Sequence, residues 1–310
     1  MPWKITTGFS GHSEKSDDVT IRRRMSPGMA RFAVFGAALL FSTGGAAIKI
    51  DAFSAAQVSC VRSGLAAMVL LLWAKGRIEW SLRVAAIGTA YALVLTLFVA
   101  ATKLTTAANA IFIQSTAPLY ILMLAPRLLG ERHGRRDLLY LGSLAVGLLI
   151  CFVARTPATT IAPNPALGNL LAVACSVCWA LTLIGIRWGQ HRDRDIGVSA
   201  VAVGNLIACL IALPFAWPLG GEAVGAWATL GYLGVFQIGL AYIWLTAAMR
   251  ELPALQVSLL LLLEPVLNPV WTWLVHDERP GGWVMLGGGL IVVATAIRTG
   301  YDARRERSSL

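Results

Sequence analysis

Ten apolar runs of about 17 to 25 residues follow one another along the chain, separated by short polar links. At a rise of 1.5 Å per residue, a helix of that length crosses a hydrocarbon core of about 30 Å. The runs cover roughly 32–49, 55–74, 81–101, 106–126, 137–154, 167–187, 197–217, 226–247, 254–275 and 283–299. Only 14% of the residues are charged against 57% hydrophobic. A soluble domain carries roughly a quarter charged residues, so this chain lacks the polar surface to cover a globule in water. The fold class expected is an all-α membrane protein with ten transmembrane helices, and lipid is its first partner.

The net charge of +10 does not point to nucleic acid, because the basic residues sit in the links between apolar runs instead of on one folded face. Their placement gives an orientation instead, since cytoplasmic loops hold the excess of Lys and Arg. With the amino terminus inside, 21 of the 26 basic residues fall on the inner side and four on the outer, while Arg62 lies within a span. Both termini are therefore expected in the cytoplasm, and the protein in the cell inner (plasma) membrane as a multi-pass chain. Residues 1–30 read as a disordered cytoplasmic tail without the apolar centre of a signal peptide, and 301–310 as a second tail.

The chain repeats itself. Shifted by 147 positions, Lys103 falls on Arg250, Pro118 on Pro265, Glu131 on Glu278, Arg132 on Arg279, Gly134 on Gly281 and Gly142 on Gly289. A weaker match at a shift of 138 pairs Phe41 with Trp179 and Lys49 with Arg187. Residues 31–155 and 165–300 thus form two five-helix repeats, and an odd number of crossings sets the second upside down relative to the first. Inverted repeats let two halves exchange roles around a midplane site, which is the logic of alternating access.

A mid-helix proline followed thirteen residues later by an acidic-basic pair, Pro118 with Glu131-Arg132 and Pro265 with Glu278-Arg279, resembles the drug/metabolite transporter superfamily, EamA-type. Glu264-Pro265 within LLLLLEPVLNPVW is similar to that family's second-half helix, and the resemblance covers residues 30–300. In layout the chain resembles the aromatic amino acid exporters of that group. The resemblance implies a secondary carrier that exports amino acids or related small metabolites. The alternative is uptake or exchange of another solute class, such as purines or cationic drugs. Arg62 has no place in the family pattern.

Polar groups at membrane depth are costly, about 2.5 to 3.5 kcal/mol for a charge at mid-helix on insertion scales. Glu264 shares a helix face with Asn268 and Trp271, and can meet a substrate ammonium, carry a proton, or brace the backbone near Pro265. Arg62 can snorkel, pair with Glu264, or meet a substrate carboxylate, and Asn205 is its counterpart in the second half. Trp179, Tyr91, Trp244 and Trp271 can wall a cavity by stacking and cation–π contact. Ser42, Asn109 and Gln114, together with Thr43, Gln57 and Gln237, complete the candidate lining, although each can instead bond a neighbouring helix. Trp73, Trp80, Trp217 and Trp283 suit an interfacial belt. Pro118 and Pro265 are candidate hinges or static kinks. Glu278-Arg279 is expected to fix a turn.

The five cysteines fall in spans and the four histidines in tails or loops, so no metal centre, cofactor or catalytic triad is expected. With no phosphate-binding loop, direct ATP drive is not expected either. The partner implied is a small-molecule substrate. One chain carries both halves and can function as a monomer.

Overall fold

The computed structural model describes residues 26–49, 52–128, 135–153, 160, 162–190, 196–220, 223–248, 251, 260–261 and 263–308. Residues 1–25 of the expected amino-terminal tail, the link at 154–159 and Glu131-Arg132 lie outside the described residues, while 27–30, expected in that tail, belong to the first helix, which Ser26 caps. Among the described residues every helix falls on one of the ten expected spans and there is no strand. The first span holds α1 (Pro27–Ser42) and α2 (Gly44–Ile48), and the second and third are α3 (Ala55–Trp73) and α4 (Leu82–Leu104). The fourth divides into α5 (Ala107–Gln114) and α6 (Ala117–Leu128), followed by α7 (Arg135–Val153), α8 (Pro165–Gln190) and α9 (Ile196–Ala216). The eighth comprises α10 (Val224–Tyr232), a π-helical stretch over Leu233–Leu240, and α11 (Ala241–Ala248). The ninth contains α12 (Leu263–His276). The tenth is α13 (Gly282–Ser308), which runs through most of the expected carboxy-terminal tail. Among the described residues six segments are long and apolar enough to cross a membrane: 28–48, 55–73, 82–104, 165–186, 196–216 and 224–248.

Helix starts follow ordinary capping chemistry. Ser54 and Gln57 form a reciprocal capping box at α3, and Ser81 and Thr106 accept from the backbone N–H groups of Val84 and Asn109. The two breaks have local causes as well. Ser42 and Thr43 turn their hydroxyls back onto the Leu39 and Leu40 carbonyls, each at 2.7 Å, just ahead of the flexible pair Gly44-Gly45. At Ser115-Thr116 the cause lies ahead of the break. Pro118 has no N–H to offer the Gln114 carbonyl four residues earlier, and Ser176 Oγ donates to that carbonyl instead, at 3.0 Å.

The helices pack closely where side chains are smallest. A methyl at Gly204 on α9 would come within 2.6 Å of the Gly88 carbonyl on α4, so these two backbones meet only because both residues lack a side chain. Gly147 and Gly287 bring α7 and α13 together in the same way. Gly142 and Gly289, although matched in the repeat, make no such contact: no neighbouring atom stands within 4 Å of where a methyl would project.

One end of the bundle is tied by a buried polar knot. Lys49 Nζ pairs with Glu278 at 3.1 Å, with both side chains only 2% exposed, and also donates to the Thr105 carbonyl at 2.9 Å. Glu278 accepts from the Ala107 N–H at 2.7 Å, at the start of α5. Thr105 Oγ1 and Asn109 Nδ2 both donate to Asn169 Oδ1, at 2.8 and 3.1 Å. The expected turn-fixing pair of Glu278 with Arg279 is therefore corrected. Glu278 is buried against Lys49, whereas Arg279 lies exposed and meets Asp277 at 3.4 Å.

Removing one partner of a buried ion pair costs about 3–5 kcal/mol, against about 0–1 kcal/mol for an exposed one. Glu278→Gln should therefore lower the thermal midpoint of the purified protein clearly, while Arg279→Gln leaves it within a degree or two. Differential scanning fluorimetry in detergent checks the contrast, and equal effects would contradict the knot.

Candidate functional site

The break in the first span is surrounded by polar side chains from distant helices. A methyl at Gly44 would come within 2.7 Å of Gln237 Nε2, on the π-helical stretch, and one at Gly45 would overlap the Asn268 carboxamide on α12. Both carboxamides are buried and incompletely satisfied: Gln237 Oε1 and both polar atoms of Asn268 have no hydrogen-bond partner. Thr43 Oγ1 shares a 2.8 Å hydrogen bond with the Tyr232 hydroxyl, and Trp271 Nε1 donates to Ser42 Oγ at 2.9 Å. A cleft of about 290 Å³ opens beside this cluster, lined by Thr43, Ala46, Ala47, Tyr232, Trp271 and Val275.

From the cleft, one face of α12 leads inward. Trp271, Asn268 and Glu264 are spaced i, i−3 and i−7, which places them along one side of a helix with about 10 Å between the first and last. Glu264 is partly exposed, and among the described residues its carboxylate makes no hydrogen bond and no ion pair. Pro265 is buried in the first turn of α12, and a second proline, Pro269, follows within the helix.

Arg62 lies elsewhere, and two of its expected roles are corrected. Its side chain is 1% exposed, so it does not snorkel, and no ion pair joins it to Glu264. Nη2 reaches the Leu95 carbonyl only at 3.5 Å, while Nε has no partner. Among the described residues its ionisable neighbours are two phenols and a thiol, Tyr91, Tyr242 and Cys175. The buried Tyr91 hydroxyl lies within side-chain hydrogen-bonding range of Tyr242 and Asn205.

An aromatic row runs through this region. The rings of Trp179 and Tyr91 are 6.4 Å apart, Tyr91 and Tyr242 meet edge to face at 5.3 Å, and Tyr242 and Phe41 at 5.1 Å. Trp244 packs over Gly36 on α1. Trp73, Trp80, Trp217 and Trp283 instead stand exposed, from 60% for Trp73 to 76% for Trp217.

Three sequence candidates have other partners. Asn109 belongs to the polar knot, and Gln57 caps α3 while donating to the Pro218 carbonyl at 2.9 Å. Gln114 takes part through its backbone carbonyl. Sequence reasoning missed Tyr232 and Tyr242, which read as ordinary apolar-run residues. It also missed the π-helical stretch, which has no sequence mark of its own. Among the described residues no group of three metal-ligating side chains occurs.

Comparison with known proteins agrees with this architecture. The EamA-like transporter family matches residues 28–153 and again 166–299, so the chain contains two copies of one unit. The threonine/homoserine exporter RhtA of Escherichia coli strain K12 is 28% identical over 131 residues, 41% of this chain and 43% of that exporter. The aromatic amino acid exporter YddG of Ancylobacter novellus is 26% identical over 207 residues, 65% of this chain and 70% of the exporter. The chain thus spans under half the length of RhtA. A solved crystal structure with 22% identity covers 91% of this chain and all of its own, with a TM-score of 0.62, a likeness of fold.

The seat of the two carboxamides yields a prediction. Gly45→Ala should displace Asn268 and reduce solute transport at least severalfold, whereas Gly28→Ala, with no atom within 4 Å, should leave it unchanged. Flux into proteoliposomes reads the difference, and equal activity of the two variants would remove the Gly45–Asn268 contact from the site.

Proposed function

Because the chain belongs to the EamA-like transporter family, whose members are transporters and not enzymes, we propose that it is a secondary carrier exporting amino acids and related small metabolites. Its place is the inner membrane, crossed ten times with both termini in the cytoplasm, and one chain carries all the parts. The observation that carries this reading is the inward face of α12. There Glu264 is partly buried and has no counter-charge among the described residues, and the neighbouring Asn268 carboxamide is unsatisfied.

A carboxylate at membrane depth is stable only with a cation or a proton beside it. A substrate ammonium supplies the first, and the unsatisfied amides of Asn268 and Gln237 offer donors and acceptors to the rest of the solute. Trp271, Trp244, Trp179 and Tyr91 supply apolar and stacking walls, while Ser42 and Asn205 stand at the edges. The exporters RhtA and YddG, named for threonine/homoserine and aromatic amino acids, favour an amino acid over a purine or a cationic drug.

Movement follows from the two repeats. Five crossings each place them in opposite senses, so that rocking one half against the other opens the site to either side in turn. The broken first and fourth spans are the natural joints. Pro118 stands just beyond the second break and Pro265 beside Glu264, where a missing backbone donor leaves the helix easier to bend.

In proteoliposomes, Glu264→Gln should reduce amino-acid flux by roughly tenfold or more, the equivalent of a lost charge-assisted hydrogen bond of about 1.5–3 kcal/mol. Trp179→Ala should reduce it less. Both variants should elute as monodisperse protein, so the loss is not one of insertion. Full flux in both would remove these residues from the site, and repeating the assay with and without a proton gradient separates proton coupling from facilitated diffusion.

A further inference from the structure

Two opposite charges lie inside this bundle and do not meet. The Arg62 guanidinium is sealed from solvent with one long contact to a carbonyl, and the Glu264 carboxylate has no partner among the described residues. In a medium of low dielectric such charges attract strongly, and pairing them would relieve the desolvation of both. Holding them apart on α3 and α12 leaves each one short of a counter-ion. They share neighbours nonetheless, since Tyr242 and Cys175 lie within electrostatic range of both.

A single ligand answers both deficits if it carries an anion and a cation at once. We infer that Arg62 and Glu264 are the two poles of a zwitterion site, Arg62 taking the α-carboxylate and Glu264 the α-ammonium of a free amino acid. This rests on the proposed carrier function and assigns a residue to each charged end of its amino-acid solute.

The surroundings match the chemistry pole by pole. Arg62 has an unused Nε–H, so a donor is available to a carboxylate oxygen, and the buried Tyr91 hydroxyl lies beside it, shared with Tyr242 and Asn205. A guanidinium is suited to this role because its planar fork matches a carboxylate. Asn268, one turn from Glu264, adds an unsatisfied carbonyl oxygen for the ammonium. The π-helical stretch packs directly on the backbone of α3 at this level, where a methyl at Gly234 would come within 2.8 Å of the Arg62 carbonyl.

The test uses the full-length protein in detergent and three probes of one shape: phenylalanine, phenethylamine without the carboxylate, and 3-phenyllactate without the ammonium. A parallel arm uses threonine. The wild type should bind at least one of the two amino acids, and with phenylalanine at least tenfold more tightly than either analogue. Arg62→Gln should erase the preference over phenethylamine while keeping that over phenyllactate, and Glu264→Gln should do the reverse. Arg62→Lys, which retains the charge, should keep most of the carboxylate preference.

A wild type that binds neither amino acid, or binds phenethylamine as tightly as phenylalanine while threonine does not bind, overturns the inference without recourse to any variant. An equal loss for all probes in Arg62→Gln, with Arg62→Lys no better, assigns Arg62 to packing and also overturns it. Binding with the expected pattern but no flux in proteoliposomes would support the zwitterion site and refute the carrier function instead, so the two failures are distinguishable.

Discussion

Lys49 and Glu278 meet at 3.1 Å inside the protein, and the ends of four spans are built around them. The pair alone would be a poor source of stability, because desolvating two ions offsets most of their attraction. It becomes sound through its added bonds, which run from the lysine to the Thr105 carbonyl and to the carboxylate from the Ala107 N–H. These bring the end of α2, the turn between α4 and α5, and the end of α12 to one point, while Asn169 secures α8 to the same turn. The first and ninth spans, which bring Ser42, Asn268 and Trp271 to the candidate site, are therefore anchored just beyond it.

This anchored end contrasts with the interior. At the knot each polar side chain meets at least one other polar group, as a region without water demands, although Asn109 Oδ1 is left over. Elsewhere in the bundle, Arg62, Asn205, Gln237 and Asn268 each present a buried atom with no partner, and among the described residues Glu264 has none for its charge. Packing alone does not account for such a concentration, because apolar residues of similar volume would remove the desolvation cost at no loss of contact. The unsatisfied groups lie on four of the spans, which makes them a property of the space between helices and not of any one helix.

Much of the fold was legible in the chain because lipid imposes a simple rule on sequence. Each crossing needs an uninterrupted apolar run, and all described helices fall on the runs so identified. The interruptions were less legible. Pro118 was visible as a possible kink, but the break falls at Ser115-Thr116, since the missing donor acts four residues upstream and is compensated by Ser176 from another helix. Glu278 was visible as one of a repeated acidic-basic pair, yet its partner is Lys49, far away in sequence, and the adjacent Arg279 is exposed. Adjacency in sequence favoured the wrong cation because a turn residue can point either into the bundle or out of it. For the site, the polar residues at depth could be found from composition alone. Which of them find partners could not: Asn109 Nδ2 donates to Asn169, whereas neither polar atom of the Asn268 side chain has a partner.

The repeat gives these observations a further consequence. Glu278 corresponds to Glu131 and Lys49 to Arg187, so the sequence supplies an acidic and a basic residue a second time, at the spans related to the first pair by duplication. Under the proposed exchange of roles between halves, a bundle that closes one end with a carboxylate and a cation carries the same residue types for its other end. A charged closure suits this use better than an apolar one. Its strength depends steeply on excluding water, so it holds firmly when shut and weakens as soon as solvent enters. The same dependence explains why the central charges must not pair with each other: an internal Arg62–Glu264 bridge would compete with the solute for both poles, and the carrier would bind its cargo only after breaking its own core.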